Sequence, residues 1–558
     1  VNNIKNCDNR CLDLVFHDPA LNKCIVTKDN NPLVHPDPYH PALNISLLID
    51  HVAPPNYPFL SDTKMYNFKK ADFISLYRDI HFTNWDFLDE TQNVNMLCEQ
   101  LYKYIHSLFD KHVPKLKPGR HCFPKWYSPE LKRQIKQKTI IHRKFKITKS
   151  QFHYYEFSNI RRNVKVLVNR DYKSYLNQVQ SSLTHNPKEF WKYFHDKKGR
   201  TRIPCRMQFD ETDLSTPKQI VEAFKNFFSS VFISSSIPTA DPFATSTNWP
   251  SINLTTISDK EVNSAIKKLK PNMSAGLDCI PAFLISDCSN ALLAPLTLIF
   301  NKCIQTSTFP DVWKLARICP VLKSGESSNI RNYRPISILS NFAKIFESVI
   351  YSSIYPCVKN LLSVKQHGFI RGRSTISNLT CITQYLSNCL DNNLQVDVIY
   401  TDISKAFDRI NHINLLCKLH QFGFSTPLLS LFTSYLHDRK LSVVYNNCKS
   451  TNYLQSSGVP QGSNLGPLLF LLYVDDITAH ISNSHCLLYA DDLKLYRVIN
   501  CEEDCRLLQE DLNRVSRWGD NNDLLLNTDK CHIVSYSRKL NVLHFDYLIC
   551  DTNLNRSD

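Results

Sequence analysis

Alternating apolar and polar residues mark two stretches in the second half of the chain as strands. A period-2 pattern over residues 396–402 predicts a strand that delivers Asp402 at its end. Strand-forming residues over 486–496 predict a hairpin with the adjacent carboxylates Asp491 and Asp492 at its turn. Two adjacent carboxylates repel each other, and a divalent cation relieves that repulsion. The simpler alternative is a solvated turn, where Asp is common.

Two further patterns predict helices, one short and apolar and one long and basic. A Gly- and Pro-rich loop over residues 458–467 leads into the apolar run Leu468–Tyr473, which predicts a helix. Residues 157–175 carry apolar side chains near i, i+3 and i+4 spacing, which predicts amphipathic helix within the segment 115–202. Residues 229–253 are rich in Ser, Thr and Pro and predict a linker or exposed loop.

A second acidic pair, Asp475 and Asp476, has the same aromatic-x-Asp-Asp form as the hairpin turn. It follows the apolar run directly, and no strand pattern comes after it. We therefore predict that these two acids cap a helix or are solvated. The functional pair is predicted to be Asp491 and Asp492.

Length and charge narrow the class of protein. At 558 residues the chain has room for two or more domains, and no apolar run reaches the ~18 residues of a membrane span. The formal net charge is +15, yet residues 115–202 alone hold 23 Lys and Arg against 5 Asp and Glu. Aromatic residues interleave with this charge, which suits single-stranded RNA through phosphate neutralisation and base stacking. The alternative is a solvated helix face with a buried aromatic stripe.

The twenty cysteines are scattered and predict no disulfide framework. Cys7 and Cys11, like Cys501 and Cys505, form C-x3-C pairs without Cys or His partners at zinc spacing. We interpret them as reduced thiols of an intracellular protein, with zinc binding as the less favoured alternative.

Three motifs in a fixed order carry a resemblance to a known family. They are the Asp402…Ala-Phe-Asp strand, the Pro-Gln-Gly loop at Gln461, and Tyr-Ala-Asp-Asp at Asp491. Over residues 257–536 the chain closely resembles the reverse transcriptases of non-LTR retrotransposons, LINE-like elements of the jockey type. The resemblance implies an α+β fold, a right-hand polymerase with fingers and palm preceded by a basic helical region.

The resemblance also implies a two-metal nucleotidyl-transfer site. Asp402 and Asp491 are expected to bridge both metal ions, with the carbonyl of Ile403 as a further oxygen ligand and Asp492 as a weaker contributor. Two Mg²⁺ ions are expected, with Mn²⁺ as the alternative, because a hard cation shares its site readily with phosphates. Lys530 is expected to protonate the departing pyrophosphate as general acid.

Further residues are expected to hold the substrates. By the family's fingers motifs, Lys323 and Arg334 contact the triphosphate, with Arg331 as a less certain third. From the family pattern, the ring of Phe407 excludes a 2′-hydroxyl, and a core aromatic is the compatible alternative. Gln461 and Gly462 are expected to shape the nucleotide pocket. Arg371 and Arg373 are expected to contact the phosphates of the template.

The first fifty residues resemble the last two motifs of an apurinic/apyrimidinic-type endonuclease. By that match Asp13, Asp37 and His40 belong to its active site, with His40 as base. The match departs from the family because two residues separate Asp37 from His40. A remnant unable to fold or cut is the preferred interpretation, since fifty residues cannot bury a two-sheet core.

The expected domain order follows from these assignments. It comprises an endonuclease remnant (1–50), a connector (51–114), a basic helical RNA-binding region (115–203), a linker (204–256), fingers and palm (257–540) and the truncated start of a thumb (541–558). The thumb is expected to be largely missing, and the chain to be truncated at both ends.

The predicted function is RNA-directed DNA synthesis by target priming, for a retroelement. The expected partners are an RNA template, a DNA primer or target and deoxynucleoside triphosphates, with no membrane and with an element RNA-binding protein as an option. Assembly on RNA in the cytoplasm and action in the nucleus are expected. The main alternative is an inactive remnant that only binds RNA; a free-standing endonuclease is nearly excluded.

Overall fold

The computed structural model describes residues 4–11, 24–29, 39–47, 66–88, 91–115, 123–124, 126–198, 203–233, 251–446 and 448–557. The chain divides into two compact units, Val1–Ser61 and Asp62–Asp558. In the first unit, strand β1 (Cys24–Lys28) pairs antiparallel with β2 (Leu43–Leu47). Asp13 and Asp37 lie outside the described residues, so the endonuclease assignment stays a prediction.

The second unit begins with helices, followed by a small hairpin and one more helix. These elements are α1 (Phe73–His81), α2 (Val94–His112), α3 (Pro129–Thr148), α4 (Gln151–His185), α5 (Pro187–Lys198), β3 (Met207–Phe209), β4 (Thr212–Leu214) and α6 (Pro217–Ser229).

Mixed helices and strands make up the rest of the unit. They are α7 (Asp259–Lys268), α8 (Ala282–Asp287), α9 (Ser289–Gln305), β5 (Leu315–Leu322), β6 (Tyr333–Ile338), α10 (Asn341–Val358), α11 (Thr375–Asp391), β7 (Gln395–Thr401), α12 (His412–Gln421), α13 (Thr426–Leu436), β8 (Lys440–Tyr445), β9 (Cys448–Lys449), β10 (Tyr453–Leu454), α14 (Gly466–Val474), β11 (His485–Tyr489), β12 (Asp492–Ile499), α15 (Glu502–Asn521), β13 (His532–Tyr536), β14 (Leu548–Ile549), β15 (Thr552–Asn553) and β16 (Asn555–Arg556). Short 3₁₀ helices are Phe68–Lys70, Asp86–Leu88, Asp311–Lys314, Ile330–Asn332 and Asp475–His480. The mixture confirms an α+β composition.

A central sheet with the strand order β11-β12-β7-β13-β16 confirms the predicted strand and hairpin. Strand β7 runs antiparallel to β12, and Thr401 pairs with Leu493. The end of β7 therefore lies beside the start of β12, which brings Asp402 next to the hairpin turn. The interior position of β7 explains its almost continuous burial.

A second sheet has the order β10-β8-β5-β6 and is covered by α6. Phe224 and Phe228 of α6 are buried against residues of this sheet such as Ile318. Residues 204–256, expected to be a linker, therefore include a hairpin and a packed helix. The sequence at α6 has a capping box at Thr216 and a strongly amphipathic pattern, which is the signal of this helix.

The segment expected as a connector, 51–114, also contributes to the core. The hydroxyl of Tyr102 on α2 shares a hydrogen bond of 2.9 Å with the Ser340 hydroxyl and donates to Asp278 over 3.1 Å. It also accepts a hydrogen bond from the indole nitrogen of the buried Trp313. Helix α2 is thus built into the main hydrophobic core.

Residues 541–557, expected as the start of a thumb, lie against the central sheet instead. The Tyr547 hydroxyl donates to the buried carboxylate of Asp397 on β7 over 3.0 Å. Strand β16 pairs in parallel with β13, which extends the sheet at its edge. This segment therefore belongs to the body of the sheet.

Helices α3, α4 and α5 confirm the predicted helical character of the basic segment; residues 126–198 are called the basic arm below. Helices α3 and α4 form a long hairpin whose small core includes Leu131, Ile141, Phe157 and Val164. The hydrogen bonds recorded between described residues of the arm stay within it, such as that from Ser128 N to Asp171 over 2.9 Å. Among the described helices, none combines the length and apolarity needed to span a membrane.

Candidate active site

A cavity of about 840 Å³ lies between the end of β7, the hairpin turn, the β5–β6 strands and the loop before α14. It collects all the residues predicted for catalysis, metal binding and the nucleotide, namely Lys323, Arg334, Asp402, Ile403, Phe407, Gln461, Gly462, Asp491, Asp492 and Lys530. Residues far apart in sequence thus line a single space. The two arginines predicted for the template, Arg371 and Arg373, lie outside it.

Three carboxylates, those of Asp402, Asp491 and Asp492, line the cavity. Asp402 follows β7 directly, and Asp491 lies in the turn after Ala490, whose φ of +56° is left-handed. Burial raises the pKa of Asp491, and the nearby charges of Asp492 and Asp402 raise it further. Burial and the charge of Asp402 likewise raise the pKa of Asp492. The negative charges of Asp491 and Asp492 are therefore not fully balanced by the protein's own cations.

Asp402 itself is paired with a cation of the protein. The Lys530 ammonium donates to Asp402 Oδ2 over 2.7 Å, and this hydrogen bond raises the pKa of Lys530. The backbone N–H of Asn527 donates to the Asp402 carbonyl over 2.8 Å, which fixes the chain just past β7. A lysine with a raised pKa holds its proton more firmly, so Lys530 must leave Asp402 before it can act as an acid.

The donor set fits a hard divalent cation in its chemistry. Carboxylates that raise one another's pKa are the ligands that such an ion stabilises, and hard oxygen donors suit Mg²⁺. Among the described residues, however, no three His, Cys, Asp or Glu side chains are close enough to form a ready-made metal site.

Three cations, Lys323, Arg334 and Lys530, also line the cavity. Burial lowers the pKa of Lys323, and the neighbouring charges of Lys530 and Arg334 lower it further. Three cations crowded in this way favour a polyanionic ligand, since an anion relieves their mutual repulsion. Arg331, the less certain third candidate, also lines the cavity but pairs with Asp210 over 2.5 Å.

The ring of Phe407 combines packing with exposure to the cavity. It stacks on Phe470 with ring centroids 4.6 Å apart and meets Phe369 edge-on at 5.9 Å. It also lines the cavity five residues after Asp402. Phe407 can therefore pack in the core and also present its ring to a nucleotide sugar in the cavity.

Asp408 is a functional candidate that sequence analysis did not single out. The Gln461 side-chain nitrogen donates to both carboxylate oxygens of Asp408 over 2.8 Å. Burial raises the pKa of Asp408 to about 6, against the opposing effects of Gln461 and Lys405. Because a carboxylate can only accept hydrogen bonds, Asp408 orients the Gln461 amide so that its NH₂ group points toward the carboxylate. The only signal in the sequence was its place in the Ala-Phe-Asp motif.

The Gln461 loop rests on strand β6. The Ser337 N–H donates to the Gln461 carbonyl over 2.7 Å. Gly462 has a φ of +125°, and a Cβ there would lie 2.5 Å from the Ser337 carbonyl oxygen. Only glycine allows this close approach of loop to strand.

Gln366 and Gly368, in the stretch expected to follow the template, hold the acidic turn. Gln366 Oε1 accepts hydrogen bonds from the N–H groups of Ala490, over 2.9 Å, and Gly368, over 2.8 Å. A Cβ on Gly368 would lie 2.2 Å from the Ala490 nitrogen. Glycine at this position therefore allows the close approach of this stretch to the acidic turn.

The two arginines of this stretch have different surroundings. One guanidinium nitrogen of Arg373 donates to backbone carbonyls, including Val364 over 3.0 Å, so this side chain supports its own loop. The Arg371 guanidinium lies 5.1 Å from the centre of the Tyr355 ring. Arg371 lines a second cavity of about 570 Å³ together with Lys268, Lys270 and Lys344. Arg371 is thus placed to contact a polyanion in the second cavity. Arg373 is partly engaged in hydrogen bonds to its own loop.

The other acidic pair lies where the sequence placed it, after helix α14. Asp476 accepts from Lys418 over 2.8 Å and from the Trp518 indole over 3.1 Å, and Asp475 accepts from Ser363 N over 2.7 Å. These acids lie outside the larger cavity and join neighbouring elements. Asp475 is the C-terminal capping residue of α14, and Asp476 is exposed to solvent while it pairs with Lys418, so the prediction is confirmed.

The cysteines of both C-x3-C pairs lie in the described part of the chain. Within that part, Cys7, Cys11, Cys501 and Cys505 form no disulfide. No group of potential metal ligands forms around them among the residues that the structure describes. The interpretation of these residues as reduced thiols stays a prediction.

Comparison with known proteins defines the class of this domain. Residues 321–549 match the family described as reverse transcriptase (RNA-dependent DNA polymerase). This region is similar to a reverse-transcriptase domain, and it spans the acids, the cations and the Gln461 loop.

The similar proteins are RNA-directed DNA polymerases of mobile elements. The probable RNA-directed DNA polymerase from transposon BS of Drosophila melanogaster is 32% identical over 270 residues, which cover 46% of this chain and 30% of that protein. The corresponding polymerase of mobile element jockey from the same species is 29% identical over 300 residues, or 52% of this chain and 33% of that protein. The chain spans about a third of the length of these relatives. Apo telomerase of Candida tropicalis overlays on 41% of this chain and 51% of its own, with 12% identity and a TM-score of 0.32, too low to compare folds.

Proposed function

We propose that this chain catalyses RNA-directed DNA synthesis for a non-LTR retroelement, with residues 257–540 as fingers and palm. The observation that carries the proposal is the meeting of three carboxylates and three cations in one cavity of about 840 Å³. The jockey-type relatives support the same reaction. Target-primed synthesis, with a DNA primer at the insertion site and the element RNA as template, is part of the proposal, as is action in the nucleus.

The reaction is attack by a primer 3′-hydroxyl on the α-phosphate of a deoxynucleoside triphosphate. A new P–O bond forms to the primer, and the bond to pyrophosphate breaks. Asp402, Asp491 and the Ile403 carbonyl would hold two Mg²⁺ ions, or Mn²⁺ in their place, with Asp492 at the margin. When bound, these ions supply the charge that activates the hydroxyl and stabilises the leaving group.

The chain's own cations bind and orient the triphosphate. Lys323, directly after β5, and Arg334 of β6 both line the cavity, and a planar guanidinium binds phosphate through two parallel hydrogen bonds. Once a triphosphate draws Lys530 away from Asp402, its ammonium can donate a proton to the departing pyrophosphate. Binding of the triphosphate would thus break the ion pair between Lys530 and Asp402 and free both side chains for the reaction.

The template is proposed to pass Arg371 and the second cavity. Lys268, Lys270 and Lys344 give that cavity a positive lining suited to phosphates. Phe369 and Pro467 line both cavities, so template and nucleotide would meet across these two residues. The basic arm adds a further RNA-binding surface.

The second candidate is a remnant that binds RNA without catalysis. The favouring observation is that Asp402 pairs with Lys530 and that no ready-made metal site is found in the described residues. The two candidates differ in whether the acids are needed for nucleotide addition.

Primer extension on an RNA template with Mg²⁺ and deoxynucleotides tests the proposal. We expect extension by the full chain, loss of at least ~100-fold in Asp402→Ala and Asp491→Asn, and unchanged RNA binding, because the acids act in the transition state. The control is Asp438→Asn, an exposed acid after α13 whose left-handed φ of +59° Asn also tolerates. No extension by any chain, with salt-sensitive RNA binding retained, would favour the remnant.

A further inference from the structure

The outer end of the basic arm carries charge without acidic partners. Helix α3 has seven Lys and Arg, and its one acid, Glu130, pairs with Arg170 of α4 over 2.9 Å. Residues 131–155, from the base of α3 into the start of α4, contain no Asp or Glu at all. Among the described residues, none of the seven cations of α3 forms an ion pair. So dense a positive charge favours a polyanion.

Most aromatic rings of the arm are used in its own packing. Trp126 contacts Tyr172 with ring centroids 5.1 Å apart, and Phe145 contacts Tyr154 at 5.5 Å. The buried Phe157 packs beneath His142 at 4.9 Å. These rings stabilise the hairpin and are not available to a ligand.

Two rings at the turn of the hairpin are exceptions. Phe152 and Tyr155 are each 68% exposed, and the neighbouring Ile147 is 83% exposed. The two rings are three residues apart in α4, so they lie on one face of the helix. We call Ile147, Phe152 and Tyr155, with the cations Lys144 and Lys146, the arm tip.

The tip lies far from the base of the arm. Helix α3 has 20 residues, a length of ~30 Å. The turn consists of Lys149, which is left-handed with φ of +50°, and Ser150, so the two helices are joined tightly. A short turn between two packed helices presents the rings from a rigid support.

We propose that the arm tip binds single-stranded nucleic acid, with the rings of Phe152 and Tyr155 stacking on unpaired bases and the cations of α3 contacting phosphates. Exposed rings among cations are what single-strand binding requires, because every base has a face for stacking and every linkage a negative charge. A duplex offers its phosphates but not the faces of its bases. The proposal deepens the RNA binding proposed above and does not depend on catalysis.

Binding of the full chain to oligonucleotides tests the proposal. The probes are an unstructured RNA, a DNA of the same sequence and an RNA duplex of the same length, each titrated over a range of salt. We expect the double variant Phe152→Ala/Tyr155→Ala to bind single strands ~10-fold or more weakly with an unchanged salt slope, since stacking carries no charge. Duplex binding should not change.

Three variants separate stacking from charge and from folding. Phe152→Tyr/Tyr155→Phe keeps both rings and should bind as the unchanged chain does. Lys144→Gln/Lys146→Gln should weaken binding to single strands and duplex alike and reduce the salt slope. Phe82→Ala removes a ring that is 78% exposed but lies outside the basic arm, and this variant should bind as the unchanged chain does.

The proposal is overturned if loss of both rings leaves single-strand affinity unchanged, or weakens duplex binding equally. It is also overturned if the ring variant loses binding only to anionic phospholipid vesicles, since the tip would then be a membrane contact. Comparison of the RNA and DNA probes shows which strand the tip prefers. The Asp491→Asn chain should bind like the unchanged chain, so failure of polymerisation is separable from failure of the tip.

Discussion

At the scale of single residues, Phe407 lies in the larger cavity, where we propose that it selects the sugar. Its ring stacks on Phe470 and faces the cavity that holds Asp402. We expect Phe407→Val to accept ribonucleotides at least ~10-fold better relative to deoxynucleotides, because the smaller side chain leaves room for a 2′-hydroxyl. Competition between the two nucleotide types in single-nucleotide extension measures this ratio. An unchanged ratio in a folded variant would leave Phe407 a core residue only.

Asp408 is expected to control what Gln461 presents to the nucleotide. With its NH₂ held by Asp408, the Gln461 amide offers Oε1 to the cavity as an acceptor. The 3′-hydroxyl is the one donor that the sugars of all four deoxynucleotides share. We therefore expect Asp408→Asn to reduce discrimination against 2′,3′-dideoxynucleotides by about 3- to 10-fold, the value of one neutral hydrogen bond.

The same contact predicts a dependence on pH. The pKa of Asp408 is raised to about 6, so the carboxylate is charged above that pH and protonated below it. Protonated Asp408 can donate a hydrogen bond to the amide oxygen of Gln461. The side-chain amide of Gln461 can then rotate so that its NH₂ group points into the cavity. The ratio of deoxy- to dideoxynucleotide use should fall as the pH falls through 6, and should be flat in Asp408→Asn. A ratio independent of pH in both chains would contradict the role of Asp408.

At the scale of elements, the acidic hairpin depends on a segment that is remote in sequence. Gln366 and Ala490 are hydrogen-bonded although 124 residues separate them, and Gly368 lies against the same turn. The turn therefore has two supports: its own strands β11 and β12, and the stretch before α11.

Substitution of Gly368 tests this support. A Cβ 2.2 Å from a backbone nitrogen has no flexible side chain to displace. We expect Gly368→Ala to cost about 1–3 kcal/mol in stability and to lower kcat more than it raises the nucleotide KM, because Asp491 is displaced. Thermal unfolding and steady-state extension measure both effects.

Gly372→Asn is the matched control for Gly368→Ala. Its φ of +83° is tolerated by Asn, and its Cβ would meet nothing within 4 Å. Equal losses in the two variants would show that the whole stretch is sensitive to substitution and that the turn contact has no special importance.

At the scale of the whole molecule, the body of the second unit begins well before the matched domain. Helix α2 supports Trp313 through Tyr102, and α6 covers the second sheet and places Phe227 and Phe228 in the larger cavity. The polymerase core therefore needs chain that lies upstream of residue 257.

Fragments of the chain test this requirement. We expect a polypeptide of residues 62–558 to unfold cooperatively, and one of 257–558 to aggregate or unfold at a much lower Tm, because loss of α2 and α6 exposes buried apolar surface. Calorimetry and size-exclusion chromatography of the two fragments make the comparison. Equal Tm values would show that residues 257–558 fold without the upstream helices.

Sequence by itself determined the elements whose signal is local. The strand that ends at Asp402, the acidic hairpin, the apolar helix α14 and the helices of the basic arm each follow from the spacing of neighbouring residues, because periodicity reports which face is buried. The three ordered motifs also sufficed to indicate the class of domain. Helix α6, outside those motifs, was missed although it has a capping box.

Tertiary structure alone decided the contacts between distant residues. The hydrogen bonds from Gln461 to Asp408 and from Ala490 to Gln366, and the ion pair between Lys530 and Asp402, join residues 53, 124 and 128 positions apart. It also separated the packed rings of the arm from the two exposed at its tip. Such partners are chosen by the packing of whole elements, and no local pattern of residues encodes that choice.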